Sequence, residues 1–329
     1  MKKFINNVEN VESEMISGIV KTYPKYLRKL DGYNVFVRAN KKENKVAIIT
    51  GGGSGHEPGY AGYVGEGMLD ASVAGAIYTS PTPDQIYEGI KAIATDKGVL
   101  MIIMNYTGDI MNFEMAQELA VADGINVEMV VTNDDVAVEN SLYTTGRRGV
   151  IGTVLVHKIA GALAETGASL QEVKEIAQRA NNNIRSMGVA INPSTVPSAG
   201  KPGFELNEDE MEVGIGIHGE PGTHKEKIKS ANETVDILLE KILADLDYSS
   251  SEVAVVVNGS GGTPLMELFI VSNHVHETLT NKGIKIYKTL VGNFLTSIEQ
   301  EGFSLSILKL DEQMKTLLDA KADTPAYKE

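Results

Sequence analysis

Two histidines in this chain stand where glycine-rich turns would present them to a ligand. The first closes the segment KVAIITGGGSGHEP, residues 45–58, in which a buried-type strand over 46–50 runs into Gly51, Gly52, Gly53 and Gly55 and then His56. Glycines there permit positive φ and close approach of backbone to a ligand, while Ser54 and His56 supply polar side chains. The second follows MEVGIGI, residues 211–217, expected as a strand that delivers His218 into the turn Gly219-Glu220-Pro221-Gly222. A histidine that follows alternating glycine and apolar residues in such a turn reads as exposed and accessible. A third strand, expected over 99–105, ends at Asn105-Tyr106-Thr107-Gly108-Asp109, and the carboxyl ends of strands are where open α/β sheets place ligands. Asp109 is the leading carboxylate. It precedes a helix, so helix cap and catalytic base are both open readings.

Other polar residues divide between site and scaffold. Tyr78-Thr79-Ser80-Pro81-Thr82-Pro83-Asp84 brings hydroxyls to a helix start, where backbone amides attract oxygen-bearing ligands. Arg147 and Arg148, between Gly146 and Gly149, either bind an anion or form a solvated or partner-facing pair. His157 sits in a helical pattern and reads as structural or surface; His224 falls in a loop. His274 and His276 are two apart on a helix, point to different sides and are poorly placed to share a metal. No converging set of three metal ligands is visible, and neither G-x-x-x-x-G-K-[ST] nor a true G-x-G-x-x-G with a downstream acid is present. Neither a metal nor a nucleotide cofactor is expected.

The elements that must hold these residues alternate between short β-rich apolar runs and amphipathic helical stretches. That pattern predicts an α/β fold of two α/β domains, each built on a central mixed or largely parallel sheet flanked by helices. Strands are expected over 46–50, 70–74, 99–105, 127–132, 188–191, 213–218, 253–257, 284–290 and 305–310. Helices are expected over 112–122, 153–165, 169–184, 225–245 and 264–281, with a further start at Thr82-Pro83-Asp84-Gln85, which has the form of a capping box. The Asn-, Ser-, Pro- and Gly-rich stretch 181–203 suggests an N-terminal domain of residues 1–183 and a C-terminal domain of residues 184–329. The last residues, 323–329, read as a frayed tail.

Bulk composition bounds the function. Forty-four acidic against thirty basic residues give a net charge of -14 in 329 residues, which repels nucleic acid and anionic membranes, and no basic run offsets it. The absence of cysteine excludes disulfides and thiolate chemistry. The N-terminal Met1-Lys2-Lys3-Phe4-Ile5 meets Asn6-Asn7 before an apolar core forms, so no signal peptide is read, and a soluble cytoplasmic protein is expected.

Taken together, the segments at 51–58, 79–84, 105–109, 134–138 (DDVAV), 146–150 (GRRGV) and 216–222 (GIHGEPG) resemble the dihydroxyacetone-binding K subunit of bacterial dihydroxyacetone kinases, in order along nearly the whole chain. The resemblance implies a two-domain α/β subunit that forms a homodimer. It implies that His218 bonds covalently to the carbonyl carbon of dihydroxyacetone as a hemiaminal, and that His56 hydrogen-bonds the ligand and assists proton movement. Asp109 would act as base toward the hydroxyl to be phosphorylated, and Gly53 and Ser80 would hold ligand oxygens. The phosphoryl donor would be carried by a separate L subunit, itself recharged by an M subunit.

Three departures from the family pattern stand out: Met104 where a lysine is expected, Gly59-Tyr60 where Ala-His or similar is expected, and Ser260 where an apolar residue is usual. A thioether fills space but cannot donate a charged hydrogen bond or stabilise charge that develops in phosphoryl transfer. The loss of that cation favours the paralogous branch that senses dihydroxyacetone and coactivates a TetR-family transcription factor over the kinase subunit that docks an L subunit. A generic sugar-phosphate binder using Arg147 and Arg148 is the third reading.

Overall fold

The computed structural model describes residues 2–139 and 146–329, which form two compact units. One unit comprises Lys2–Thr132, Leu155–Ala180 and Gln313–Glu329; the other comprises Asn133–Val154 and Asn181–Glu312. The chain therefore passes between units at 132/133, 154/155, 180/181 and 312/313, where the sequence suggested a single division at 183/184.

The first unit holds a six-stranded sheet of β1 (Leu27–Lys29), β2 (Val35–Arg38), β3 (Ala47–Ser54), β4 (Ala71–Ile77), β5 (Val99–Met104) and β6 (Val127–Thr132), in the order β1-β2-β4-β3-β5-β6. The four strands from β4 to β6 run parallel, and β1 and β2 close one edge antiparallel. Every residue of β3 and β5 is buried, as a strand covered on both faces requires, which explains the unbroken apolar run VLMIIM. Helices α1 (Val11–Thr22), α2 (Pro83–Ile93) and α3 (Thr107–Ala122) belong to this unit, as does most of α4 (Thr153–Glu165). One core joins Ile86, Ile90 and Ile93 of α2 and Phe113 and Ala116 of α3 to the sheet through Ile49, Val73, Met101 and Ile103.

The second unit follows α5 (Leu170–Asn182) with a sheet of β7 (Ile184–Asn192), β8 (Glu210–Val213), β9 (His224–Lys227), β10 (Glu252–Gly259), β11 (Lys285–Gly292) and β12 (Glu301–Leu310). Its order is β11-β10-β12-β7-β8-β9, and only β10 and β11 run parallel. Helices α6 (Ala231–Asp245) and α7 (Leu265–Asn281) supply Leu238, Ile242, Leu268 and Val275 to its core, and α8 (Glu312–Asp319) leads back to the first unit.

Several local expectations are corrected. Thr82 caps α2 by position only: its hydroxyl accepts from Gln85 Nε2 at 3.2 Å while Gln85 Oε1 accepts from Asn34 N, so no capping box forms there. The capping box lies instead at Ser230 and Glu233, before α6. The expected helix over 225–245 begins only at Ala231, and His224 opens the exposed edge strand β9 rather than lying in a loop. The tail is not frayed: Thr324 and Tyr327 are buried, Ala326 N donates to Gly62 O at 2.8 Å, and Asp323 binds Lys25, Tyr26 and Lys328.

Candidate functional site

In the first unit the glycines work by contact rather than by turn geometry. Gly51, Gly52 and Gly53 lie inside β3, and of the glycines in this segment only Gly55 has positive φ, at 100°. A methyl on Gly53 would fall 2.7 Å from the Thr79 backbone nitrogen and 2.8 Å from Tyr78 Cα; on Gly52 it would meet the Tyr60 ring at 2.9 Å. The strand is bare so that the turn after β4 and the Tyr60 ring can lie directly on its backbone. Ser54 extends β3 and donates to Gly75 O at 2.7 Å, which ties it into scaffold.

His56 follows at 0% exposure, its ring stacked on Tyr78 with centroids 5.2 Å apart and planes 18° from parallel. Tyr78 holds φ 57°, an uncommon conformation for a bulky residue, in the turn that carries Ser80. The Ser80 hydroxyl lies 2.8 Å from where a Cβ on Gly108 would sit, and Asn112 Nδ2 donates to Pro81 O at 2.8 Å. The β4–α2 turn is thus fastened to the start of α3, which carries Asp109 in its first turn at 6% exposure. Tyr106, not Asp109, occupies the N-cap position, so the cap reading of Asp109 is set aside; a carboxylate in the first turn is still favoured by the helix dipole. Gly53, His56, Ser80 and Asp109 are accordingly linked through one set of contacts within this unit.

Two of the unusual residues meet there. Tyr60, which is 7% exposed, donates from its hydroxyl to Met104 Sδ at 3.2 Å, and its ring meets His157 edge-on at 6.5 Å. Burial pushes the Tyr60 phenol well above its usual range, with the charges of Asp109 and Glu57 adding to the effect. His157 is a core residue, not a surface one, and burial depresses its imidazole to about 3.

In the second unit the expected strand over 213–218 is corrected. β8 stops at Val213 because Gly214 turns to φ 79° with its N–H on Gly188 O, leaving no room for a Cβ beside Ala137. Residues 214–223 form a loop that closes where Thr223 N donates to Val213 O at 2.7 Å. His218 lies in that loop, partly exposed, and not at a strand end. Glu220 folds back on it: Oε2 accepts from the His218 backbone N–H at 2.9 Å and Oε1 lies 2.8 Å from Nδ1. Burial works to raise the Glu220 carboxyl, but the hydrogen bond and charge of His218, with backbone N–H groups, outweigh it and hold the group at about 2. An ionised carboxylate can only accept, so Nδ1 carries the proton, and in the neutral ring the lone pair is then on Nε2. Glu220 was quoted in its motif but given no role by sequence reasoning; the signal was its spacing of two from a turn histidine.

The arginine pair is not an anion site. Arg147 is bound bidentately by Asp245, which Arg185 also engages. Arg148 is 9% exposed, pairs with buried Asp135 at 2.6 Å and donates to Gly214 O at 2.7 Å. His274 and His276 take separate partners, Asp236 and Thr289.

With this geometry described, comparison with known proteins gives consistent matches. Residues 17–326 match the Dak1 domain. The chain is 52% identical over 329 residues to the dihydroxyacetone-binding subunit DhaK of PTS-dependent dihydroxyacetone kinase 1 from Listeria innocua serovar 6a, covering 99% of this chain and 100% of that protein. Among solved structures, the dihydroxyacetone kinase of C. freundii superposes with a TM-score of 0.93 at 33% identity, over 99% of this chain and 60% of that one. The dihydroxyacetone kinase operon co-activator Dha-DhaQ superposes with a TM-score of 0.90 at 36% identity, over 95% of this chain and 96% of that one.

Proposed function

Since this chain belongs to the Dak1 domain family, we propose that it binds dihydroxyacetone as a hemiaminal on His218 and serves as the substrate-binding K subunit of a phosphotransferase-system-dependent kinase. The observation that carries the reading is the Glu220–His218 pair, in which Glu220 engages Nδ1 so that Nε2 of the neutral ring is the nitrogen that attacks. The Nε2 lone pair forms the bond to the carbonyl carbon, and the C=O π pair moves to oxygen, which takes up a proton. Positive charge developing on the ring is stabilised by Glu220, and loss of the Nδ1 proton balances protonation of the oxygen. Ketones and aldehydes can react so; glycerol cannot. His56 hydrogen-bonds the ligand and moves protons, Gly53 and Ser80 hold its oxygens, and Asp109 takes the proton of the hydroxyl that attacks the phosphoryl group carried by an L subunit.

The test is intact-protein mass after incubation with dihydroxyacetone. One ligand mass is expected on the native chain and none on His218→Ala; an adduct retained by the variant overturns the assignment.

The second reading is a dihydroxyacetone-sensing coactivator of a TetR-family transcription factor. Met104 held by Tyr60 favours it, as does the likeness to the co-activator structure. Identity of 52% to a kinase subunit over 99% of the chain supports taking the kinase reading first, against the preference drawn from Met104 alone. Turnover of dihydroxyacetone to its phosphate with an L subunit and its donor system is expected; capture without turnover would put the coactivator first. Both readings take the protein to be a cytoplasmic homodimer without direct nucleic-acid contact. Among the described residues no helix is long and apolar enough to cross a membrane.

A further inference from the structure

The loop that carries His218 is held from outside by a buried ion pair to which neither reading assigns a task. Asp135 Oδ2 accepts from Arg148 Nε at 2.8 Å and from Nη2 at 2.6 Å, and its Oδ1 accepts from Ala137 N at 2.9 Å. Asp135 is 2% exposed and Asp134 fully buried; Asp134 accepts from Val150 N, Gly152 N and the Ser186 hydroxyl, which fixes the segment bearing Arg148. Arg148 Nη2 also donates to Gly214 O, at the hinge where β8 becomes the loop. Its Nη1 lies 2.7 Å from where a Cβ on Gly216 would be, and Glu220 Oε2 lies 2.0 Å from the same point. One guanidinium therefore grips the start of the loop, and its Nη1 borders, together with Glu220 Oε2, the space that a side chain on Gly216 would fill. A planar fork suits this: lysine has one nitrogen and cannot span an aspartate, a carbonyl and the neighbourhood of a second carboxylate.

We propose that Arg148, anchored by Asp135, is a positioning residue for the Glu220–His218 pair, holding Glu220 where it fixes the Nδ1–H tautomer of His218. The proposal rests on the His218 reading for its effect on capture, but its effect on the ligand-free ring is independent of it. Gly216 belongs to the same device, because any side chain there would occupy the space shared by Glu220 and Arg148.

The experiment is a double-mutant cycle with two readouts on the full chain: apparent affinity for [2-13C]dihydroxyacetone, followed by loss of the carbonyl carbon resonance, and the 15N resonances of His218 without ligand. Glu220→Ala and Arg148→Met are each expected to weaken capture at least tenfold and to remove the Nδ1–H signature. The double variant is expected to be no worse than the weaker single variant, since both act through one arrangement of the loop. Multiplicative losses, or an Arg148→Met chain that keeps the native tautomer, would overturn the proposal. Should Arg148→Met fail to fold, Gly216→Ala displaces Glu220 without removing a charge; tenfold weaker capture with a mixed tautomer supports the proposal, and native behaviour overturns it. Absence of an adduct on the native chain, with the expected tautomer changes in the variants, would sink the hemiaminal reading and leave the positioning role standing.

Discussion

At the scale of single residues, the chemistry of this protein is set by what lies beside each titratable group. Glu220 engages Nδ1 of His218, and the pair are two residues apart in a loop. Met104 and Tyr60 looked in the sequence like separate departures from a family pattern, yet the tyrosine hydroxyl spends its hydrogen bond on the methionine sulfur. Met104→Leu conserves volume and leaves that buried hydroxyl without its acceptor. The expected cost is about 1–2 kcal/mol of stability, read as a lower denaturant midpoint at unchanged m-value. An unchanged midpoint would show that the sulfur contact contributes nothing. Both histidines proposed as functional stood out by their glycine-rich surroundings, whereas the partners of each did not. A stacking tyrosine 22 positions away, such as Tyr78 on His56, leaves no trace in local spacing.

At the scale of elements, the glycine-rich strand is the main device. Three consecutive glycines inside β3 remove the side chains that would otherwise meet Val73 and Phe113 at Gly51, the Tyr60 ring at Gly52 and the β4–α2 turn at Gly53. Gly53→Ala must displace backbone at Tyr78 and Thr79, so a loss of about 1–3 kcal/mol is expected, together with disturbed stacking of His56, visible as changed ring proton shifts. Wild-type stability and shifts would mean that the turn moves freely. Alternation of apolar runs made β5 and β6 readable, but the same pattern misled at 213–218, where Ile215 and Ile217 alternate with glycines in a loop that is not paired as a strand. The conformation of Gly214 decides that outcome, and a glycine's φ depends on what surrounds it.

At the scale of the whole molecule, pH acts on stability through buried groups of both signs. The imidazole of His157 titrates at about 3 when folded, below its unfolded value of 6.5, so between those limits the unfolded chain binds the extra proton and acid destabilises the fold. Glu165 works in the same direction at lower pH. Burial would raise its carboxyl, but Lys42, Lys45 and Arg38 hold it at about 2, and its contribution is lost as pH falls from 4.5 toward 2. Asp135 opposes both: burial lifts it to about 6 despite Arg148, so the folded chain protonates first and gains stability from about 6 down to 3.8. Replacing His157 with phenylalanine should flatten unfolding free energy against pH by up to about 1.4 kcal/mol per unit between 6.5 and 3. Parallel curves for native and variant chains would contradict a buried neutral imidazole. Sedimentation should show twice the 35.4 kDa chain mass if the homodimer forms; a monomer at micromolar concentration would remove that expectation.

Composition and periodicity were enough to establish an α/β chain with two sheets and to draw attention to His56, Asp109 and His218, because burial pattern and turn chemistry are local properties written in adjacent residues, whereas Gly53 and Ser80 were named as ligand-holding positions only through the family resemblance. Tertiary structure alone decided that the chain passes between two units four times, that the glycines of β3 serve close approach, and that Arg148, paired with Asp135, holds the start of the loop that carries Glu220. Those outcomes depend on contacts between segments tens of residues apart, whose proximity is a consequence of packing and has no counterpart in the order of side chains along the chain.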